Sequence, residues 1–162
     1  MPAVRLASLL LVFASCAPAP APVVLPLQQD PTLAVRLTFD SASAWFMFDT
    51  GAGAHTLARW FVDRAGMELD DSAAAGVRAR DAAGQPVDLR IIREQVGRLP
   101  DGSALVIGSA IVAEFPPQFE AWEMGGLLNP QLLAHDGQAA VLDLRVPEFR
   151  IEPFDDAVRR LG

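Results

Sequence analysis

Apolar and polar residues alternate early in the chain, and this alternation predicts a β-hairpin. Apolar side chains occupy every second position at Leu33, Val35, Leu37 and Phe39. A period of two places these side chains on one face of a half-buried strand. The turn sequence DSAS and a second, more apolar run, AWFMF, come next. Residues 33 to 49 are therefore predicted to form two paired strands, the second more fully buried than the first.

Two short helices are predicted further along the chain. The first covers residues 55–65, where Thr56 is suited to be the N-cap and Gly66 ends the apolar periodicity. The second is the segment QLLAH, which follows Asn129 and Pro130. These two residue types favour the N-cap and the first helical position, respectively.

The remaining pattern is one of short strands. A hairpin is predicted over residues 76–92 with its turn at DAAGQP, and the turn PDGS at 100–103 leads into ALVIGSAIVAEF. A Pro-rich loop, FPPQFEAWEMGG, follows, and the segments AVLDLRV and EFRIE flank Pro147 as a last pair of strands. Many short strands with frequent turns are typical of a small β-barrel.

The first residues differ from the rest. Arg5, an apolar run from Leu6 to Phe13 and the small residues before Cys16 are typical of a secretory signal, and the run is too short to span a bilayer. The ending ASC is similar to a lipobox, so Cys16 is predicted to carry a lipid. The alternative is a leader whose thiol is removed with it. The Pro-rich segment 17–31 is then a stiff polyproline-II tether, and residues 32–162 are the folded domain.

Charge and cysteine content exclude some function classes. The chain has 20 acidic and 13 basic residues, giving a net charge of -7, and all basic residues are arginine. An acidic chain without a basic cluster is unsuited to nucleic acid. Cys16 is the only cysteine, so an intramolecular disulfide cannot form.

The segment WFMFDTGAGAHTL carries the candidate chemistry. An apolar strand leads into Asp49, although an ionised carboxylate is costly to bury. Two carboxyls about 3 Å apart share one proton, so that one acts as a base and the other as an acid. Gly51 lets the backbone approach a carboxylate closely, and Thr50 supplies a hydroxyl. The alternative is an ordinary strand end, where Asp49 only forms an Asx-turn.

The strand ending in Asp49-Thr50-Gly51-Ala52 resembles the catalytic loop of retropepsin-like aspartic proteases, which are single-domain relatives of pepsin. Gly126-Leu127-Leu128, with the short helix and strand after it, is similar to the segment that packs behind that loop. The DAAGQP hairpin corresponds to the flap over the substrate. The resemblance covers residues 33–151 and implies a mostly β fold, a small closed retropepsin-like barrel with one or two short helices.

The resemblance also implies an activity. With one such motif in the chain, the second carboxyl would come from Asp49 of another copy, so a homodimer is expected. Asp49, Thr50 and Gly51 would form the catalytic loop, and Ala52 and the flap residue Gly84 would contact a polypeptide substrate. No cofactor or metal is implied. With Cys16 lipidated, the enzyme would be anchored in the cell envelope, facing the periplasm or the exterior.

Some residues depart from the family pattern, and two alternatives to the protease stay open. Asn129 replaces a glycine of the family, and Gly53 and His55 stand where relatives often carry Ser or Asp. The departures at Gly53 and Asn129 motivate the first, a non-catalytic module of the same fold that binds a peptide or partner. The second is a secreted structural domain in which Asp49-Thr50-Gly51 is only a turn. The two histidines show no metal-ligand spacing. His55 is predicted to face solvent at a helix start, and His135 to lie near a helix end.

Overall fold

The computed structural model describes residues 22–27, 33–40, 42–70, 72, 79–80, 86–87 and 89–162. Short strands dominate them, which confirms the predicted mostly β fold with few short helices. The strands are β1 (Val23–Pro26), β2 (Ala34–Phe39), β3 (Ala42–Phe48), β4 (His55–Ala58), β5 (Ala79–Arg80), β6 (Pro86–Val87), β7 (Arg90–Ile92), β8 (Gln95–Arg98), β9 (Ala104–Ile107), β10 (Ala110–Ala113), β11 (Met124–Leu128), β12 (Gln138–Asp143) and β13 (Glu148–Pro153). The helices are α1 (Arg59–Ala65), α2 (Pro117–Ala121), a 3-10 helix (Pro130–Leu133) and α3 (Phe154–Leu161).

The main sheet has eight strands in the order β7-β10-β4-β11-β3-β2-β8-β9. The predicted hairpin is confirmed as β2 and β3, which pair antiparallel, and Asp40 in its turn has a φ of 47°. Strand β11 lies between β3, to which it is parallel, and β4, to which it is antiparallel. The strand that precedes Asp49 is therefore central in the sheet.

The core is rich in aromatic side chains. The rings of Phe39, Phe46 and Phe61 pack edge to face, with centroids 5.2 to 5.7 Å apart. Phe46 comes from β3 and Phe61 from α1, and both are fully buried. Edge-to-face contacts add to the stabilisation by burial. This cluster fixes α1 against the strand that leads into Asp49.

A second sheet joins the two ends of the described chain. Its order is β1-β13-β12, and the predicted final pair of strands is confirmed as β12 and β13. Strand β1 lies inside the segment predicted to be a polyproline-II tether. That conformation is wrong for Val23–Pro26, which pair with Glu148–Ile151. Their backbone groups meet an available sheet edge, and an edge strand tolerates the flanking prolines.

The helices differ from the prediction at their boundaries. The first was predicted from residue 55, but His55–Ala58 form β4 and α1 begins at Arg59. Residue 58 is the N-cap, and Thr56 is not, because β4 pairs with β10 and β11 on either side. Gly66 ends α1 in the left-handed region, as predicted. Helix α2 lies in the segment predicted to be a loop.

The region of the predicted flap is only partly described. Strands β5 and β6 pair antiparallel and enclose residues 81–85. Residues 81–85 of the predicted turn, which include Gly84, lie outside the described residues. Ile91, predicted in the same hairpin, belongs instead to β7, which pairs with β10 in the main sheet.

Candidate active site

Asp49 follows the end of the central strand β3 and is held there by backbone hydrogen bonds. Its N–H donates to the Leu128 carbonyl at 2.9 Å, and the N–H of Phe48 donates to the Leu33 carbonyl at 2.9 Å. Because β3 and β11 are parallel, both end at the same side of the sheet. The strand register therefore places the Asp49 loop directly beside the residues that follow Leu128.

Asp49 is a half-buried residue, and its carboxyl group accepts a local, exposed hydrogen bond. The N–H of Gly51 donates to its Oδ1 at 2.8 Å. A Cβ at position 51 would lie 3.3 Å from the same oxygen, a tight contact. The close approach predicted for Gly51 is therefore present. This bond is also the Asx-turn of the alternative interpretation, so it does not by itself separate a catalytic loop from a structural one.

The other predicted site residues occupy different environments. Thr50 and Gly51 are exposed, as is Gly53, so the tip of the loop is open to a second molecule. Ala52 is half-buried, with its carbonyl directed inward. Gly84 and Cys16, predicted for substrate contact and lipid attachment, both lie outside the described residues.

Asn129 connects the second landmark to the Asp49 loop. Its Oδ1 accepts the N–H of Gln131 at 2.8 Å, which confirms the predicted cap, here of the 3-10 helix. Its Nδ2 donates to the Ala52 carbonyl at 2.7 Å, a contact that the sequence analysis missed. The residue type could have indicated this contact, because an asparagine side chain, unlike that of an aspartate, carries a hydrogen-bond donor as well as an acceptor. The single side chain thus joins two loops that are 77 positions apart.

His55 is the second residue that supports the loop, and its predicted exposure is wrong. It lies in β4 and is only 1% exposed. Its Nδ1 accepts the N–H of Asn129 at 3.2 Å, which puts the imidazole proton on Nε2. Burial lowers the pKa of His55 below 6.5. The nearby backbone of Leu132 raises the pKa, but by less than burial lowers it. A buried, neutral histidine therefore holds the backbone of Asn129, the residue whose side chain is bonded to the candidate catalytic loop. His135, by contrast, is exposed.

The stability of the fold is expected to depend on the pH through His55. Because His55 has a lower pKa in the folded protein than in the unfolded chain, the unfolded chain binds a proton more readily. The contribution of the neutral imidazole to the free energy of unfolding is therefore complete above about pH 6.5 and decreases as the pH drops below that value. Urea unfolding of the wild type between pH 7.5 and 5, at about half-unit steps, measures this slope.

A matched pair of variants assigns the slope to one histidine. His55→Gln should flatten the profile in that window, whereas His135→Gln should leave it unchanged because His135 is exposed. A wild-type profile that is flat between pH 7 and 5 would contradict the buried neutral state of His55.

Removal of the Asn129 side chain is expected to destabilise the fold by about 2 kcal/mol. Asn129→Ala loses the helix cap and leaves the Ala52 carbonyl without its donor, and each loss costs about 1 kcal/mol or more. Chemical denaturation measures the change, with the exposed neighbour Gln131→Ala as a control. A loss below about 0.5 kcal/mol, the usual range for surface sites, would show that the contact to Ala52 contributes little.

No group of three or more His, Cys, Asp or Glu side chains suited to a metal ion occurs in the described ranges. Two cavities, of about 490 and 420 Å³, are lined by described residues, the first by Asp40, Met67 and Arg93 among others, the second by Arg59 and Ile111 among others. Neither is lined by residues of the Asp49 loop. These two cavities therefore do not identify a substrate cleft within one chain.

Comparison with known proteins identifies the architecture. One solved structure that matches is a retropepsin-like aspartic protease from Rickettsia conorii, with a TM-score of 0.53. The match covers 82% of this chain and 91% of that one at 14% sequence identity. The chain has a retropepsin-like fold. This confirms the fold that the sequence resemblance implied. No protein-family model and no curated protein sequence matches the chain.

Proposed function

We propose that the protein is an aspartic endopeptidase that hydrolyses peptide bonds with a water activated between two Asp49 carboxyls of a homodimer. The observation that carries this proposal is the position of Asp49. It directly follows the central strand β3, forms a tight turn with Gly51 and is bonded to the end of β11, within a retropepsin-like fold.

The proposed chemistry needs only the two carboxyls and water. The ionised carboxylate takes a proton from a water molecule while the oxygen of that water attacks the peptide carbonyl carbon. The protonated carboxyl gives its proton to the carbonyl oxygen. The carboxyl that received the water proton then gives it to the amide nitrogen and the C–N bond breaks. The other carboxylate takes back a hydroxyl proton as the new carboxylic acid forms, so the pair again holds one proton. No covalent intermediate forms, and no cofactor or metal takes part.

The sequence and the loop geometry support assembly from two copies. Asp101-Gly102 and Asp136-Gly137 lack the intervening hydroxyl residue, so each chain supplies one Asp-Thr-Gly motif. Thr50 and Gly51 are exposed at the tip of the loop, where a symmetry-related loop can approach. A two-fold axis through this point would bring the two Asp49 carboxyls together. In this proposal Thr50 contacts the partner loop, and Ala52 and Gly84 contact the polypeptide.

We also propose that the enzyme is a lipoprotein of the cell envelope, facing the periplasm or the exterior. The apolar segment before Cys16 and the ASC sequence support this placement. No helix in the described part of the chain has the length and apolar character to cross a bilayer.

The test is peptide cleavage by the purified full-length chain. Wild-type protein in mild detergent is incubated with a mixed peptide library between pH 4 and 7, and products are identified by mass spectrometry. Oligomeric state is recorded in the same buffers by light scattering. Cleavage at internal bonds by a dimeric species is the expected result.

The alternative function is a non-catalytic module of the same fold that binds a peptide or a partner protein. It is favoured by Asn129, which departs from the family pattern and uses its side chain for the fold, capping the 3-10 helix and donating to the Ala52 carbonyl. A verified dimer that retains library peptides but cleaves none at any pH would decide for this alternative.

A further inference from the structure

The C-terminal helix α3 presents an apolar stripe to solvent. Phe154, Val158 and Leu161 are 58%, 52% and 58% exposed, and their spacing of four and three residues places them on one face. Ala157, beside this stripe, is buried. The packing of α3 against its own domain thus uses only part of the apolar surface of the helix.

The charged residues of α3 lie on its opposite side and balance one another. Asp155 and Asp156 are in the first turn and Arg159 and Arg160 in the last, which suits the helix dipole. Arg159 pairs with Asp156, and Arg160 pairs with the buried Glu152. The helix carries no net charge, so any surface that covers the stripe is attracted by its apolar side chains rather than by its charges.

The start of β1 lies close to α3. Val23 pairs with Ile151, and α3 begins three residues after Ile151, at Phe154. The chain that comes from Cys16 therefore joins the folded domain at the same end of the small sheet from which α3 leaves. The other end, at Glu148 and Pro26, carries the turn that joins β12 to β13.

The chain between Cys16 and this point is short. Cys16 and Val23 are seven residues apart in the sequence, and a fully extended chain spans at most about 3.6 Å per residue, or about 25 Å in total. The eight residues of α3 extend about 12 Å along its axis. A lipid on Cys16 would therefore keep α3 within a short distance of the bilayer surface.

We propose that the stripe of Phe154, Val158 and Leu161 rests on a phospholipid bilayer, with α3 lying in the plane of the interface. The inference rests on the proposed lipid at Cys16 and is independent of catalysis at Asp49. Three side chains bind a bilayer weakly on their own. A short tether raises the local concentration to about the millimolar range, where weak contacts are occupied. The contact would orient the domain relative to the membrane.

The test measures the depth of a single probe in a bilayer. Full-length protein is produced in a bacterium that processes lipoproteins and is reconstituted into vesicles of phosphatidylethanolamine and phosphatidylglycerol. Val158→Cys is labelled with a polarity-sensitive fluorophore, and nitroxide-labelled lipids serve as quenchers. The matched control is Val146→Cys, since Val146 is 60% exposed in the turn at the far end of the same sheet. We expect quenching at position 158 to be at least about twofold greater than at position 146.

Each other outcome contradicts a defined part of the inference. The wild type should take up no label and should float with the vesicles, because a lipidated Cys16 has no free thiol and holds the chain on the bilayer. Label uptake, or a wild type that does not float, would disprove the anchor and the inference with it. An unlabelled wild type with equal quenching at both positions would disprove the bilayer contact alone. A disulfide-linked dimer of the unlabelled Val158→Cys variant, with no quenching, would show that a second copy covers the stripe.

Discussion

Asp49→Asn is expected to reduce peptide cleavage by about 10³-fold or more, since general acid–base groups commonly contribute 10² to 10⁴. An amide neither takes a proton from water nor shares one with the second carboxyl. Its oxygen still accepts the Gly51 N–H that Asp49 Oδ1 accepts at 2.8 Å, so the turn is retained. The unfolding free energy should change by less than about 1 kcal/mol, in the range of exposed hydrogen-bonded sites. Initial rates on a peptide found in the library measure the effect.

The matched control for this variant is Asp101→Asn. The Oδ1 of Asp101 also accepts a backbone N–H two residues on, from Ser103 at 2.9 Å, in an exposed turn. Asp101 therefore forms the same local turn as Asp49. Unlike Asp49, it does not follow a central strand and is not bonded to β11. Cleavage should be unaffected in Asp101→Asn. Equal activity in Asp49→Asn and the wild type would show that Asp49 is a structural turn residue.

Gly126→Ala is expected to destabilise the fold by about 3 kcal/mol or more, at the upper end of overpacking in a core. Strand β11 lies between β3 and β4, and Gly126 faces Leu57 in the β4 register. A Cβ at position 126 would lie 2.2 Å from the Thr56 carbonyl oxygen and 3.0 Å from Leu57 Cα. These are backbone atoms, which cannot rotate away as a side chain can, so the two strands must separate.

The same substitution should impair the candidate site. Separation of β11 from β4 displaces Leu128, whose carbonyl holds the N–H of Asp49. Urea unfolding measures stability, and cleavage assays well below the unfolding midpoint measure the site. Gly108→Ala is the control, because a Cβ there meets nothing within 4 Å and the residue lies outside the Asp49 loop. A loss below about 1 kcal/mol in Gly126→Ala would contradict the close packing of β4 and β11.

Local sequence patterns were sufficient to predict those strands, caps and turns that are determined by residues close together in the sequence. The alternation at Leu33 to Phe39 predicts β2, the type of residue at 129 predicts a cap, and Gly66 predicts the end of α1. The turn at Asp49 and Gly51 was also predictable, because glycine allows the close approach to the carboxylate. Each of these depends on neighbours within a few positions.

Features that depend on distant parts of the chain were predicted less well. The segment at His55 has a helical apolar period, but β10 and β11 pair with it on both sides and extend it into a strand. The burial of His55 and the bond from Asn129 to Ala52 follow from that pairing. Strand β1 forms because β13 offers an edge more than 120 residues away in the sequence. Local periodicity carries no information about such partners.

The measurement that tests the central claim most directly is cleavage by mixed dimers. Wild type and Asp49→Asn chains are unfolded together, refolded at a fixed total concentration and assayed as the fraction of the variant increases. If one proton is shared by two Asp49 residues, only wild-type pairs are active, and activity falls as the square of the wild-type fraction, to about one quarter in an equal mixture. A linear decrease, to about one half, would show that each chain acts alone and would contradict a site assembled from two copies.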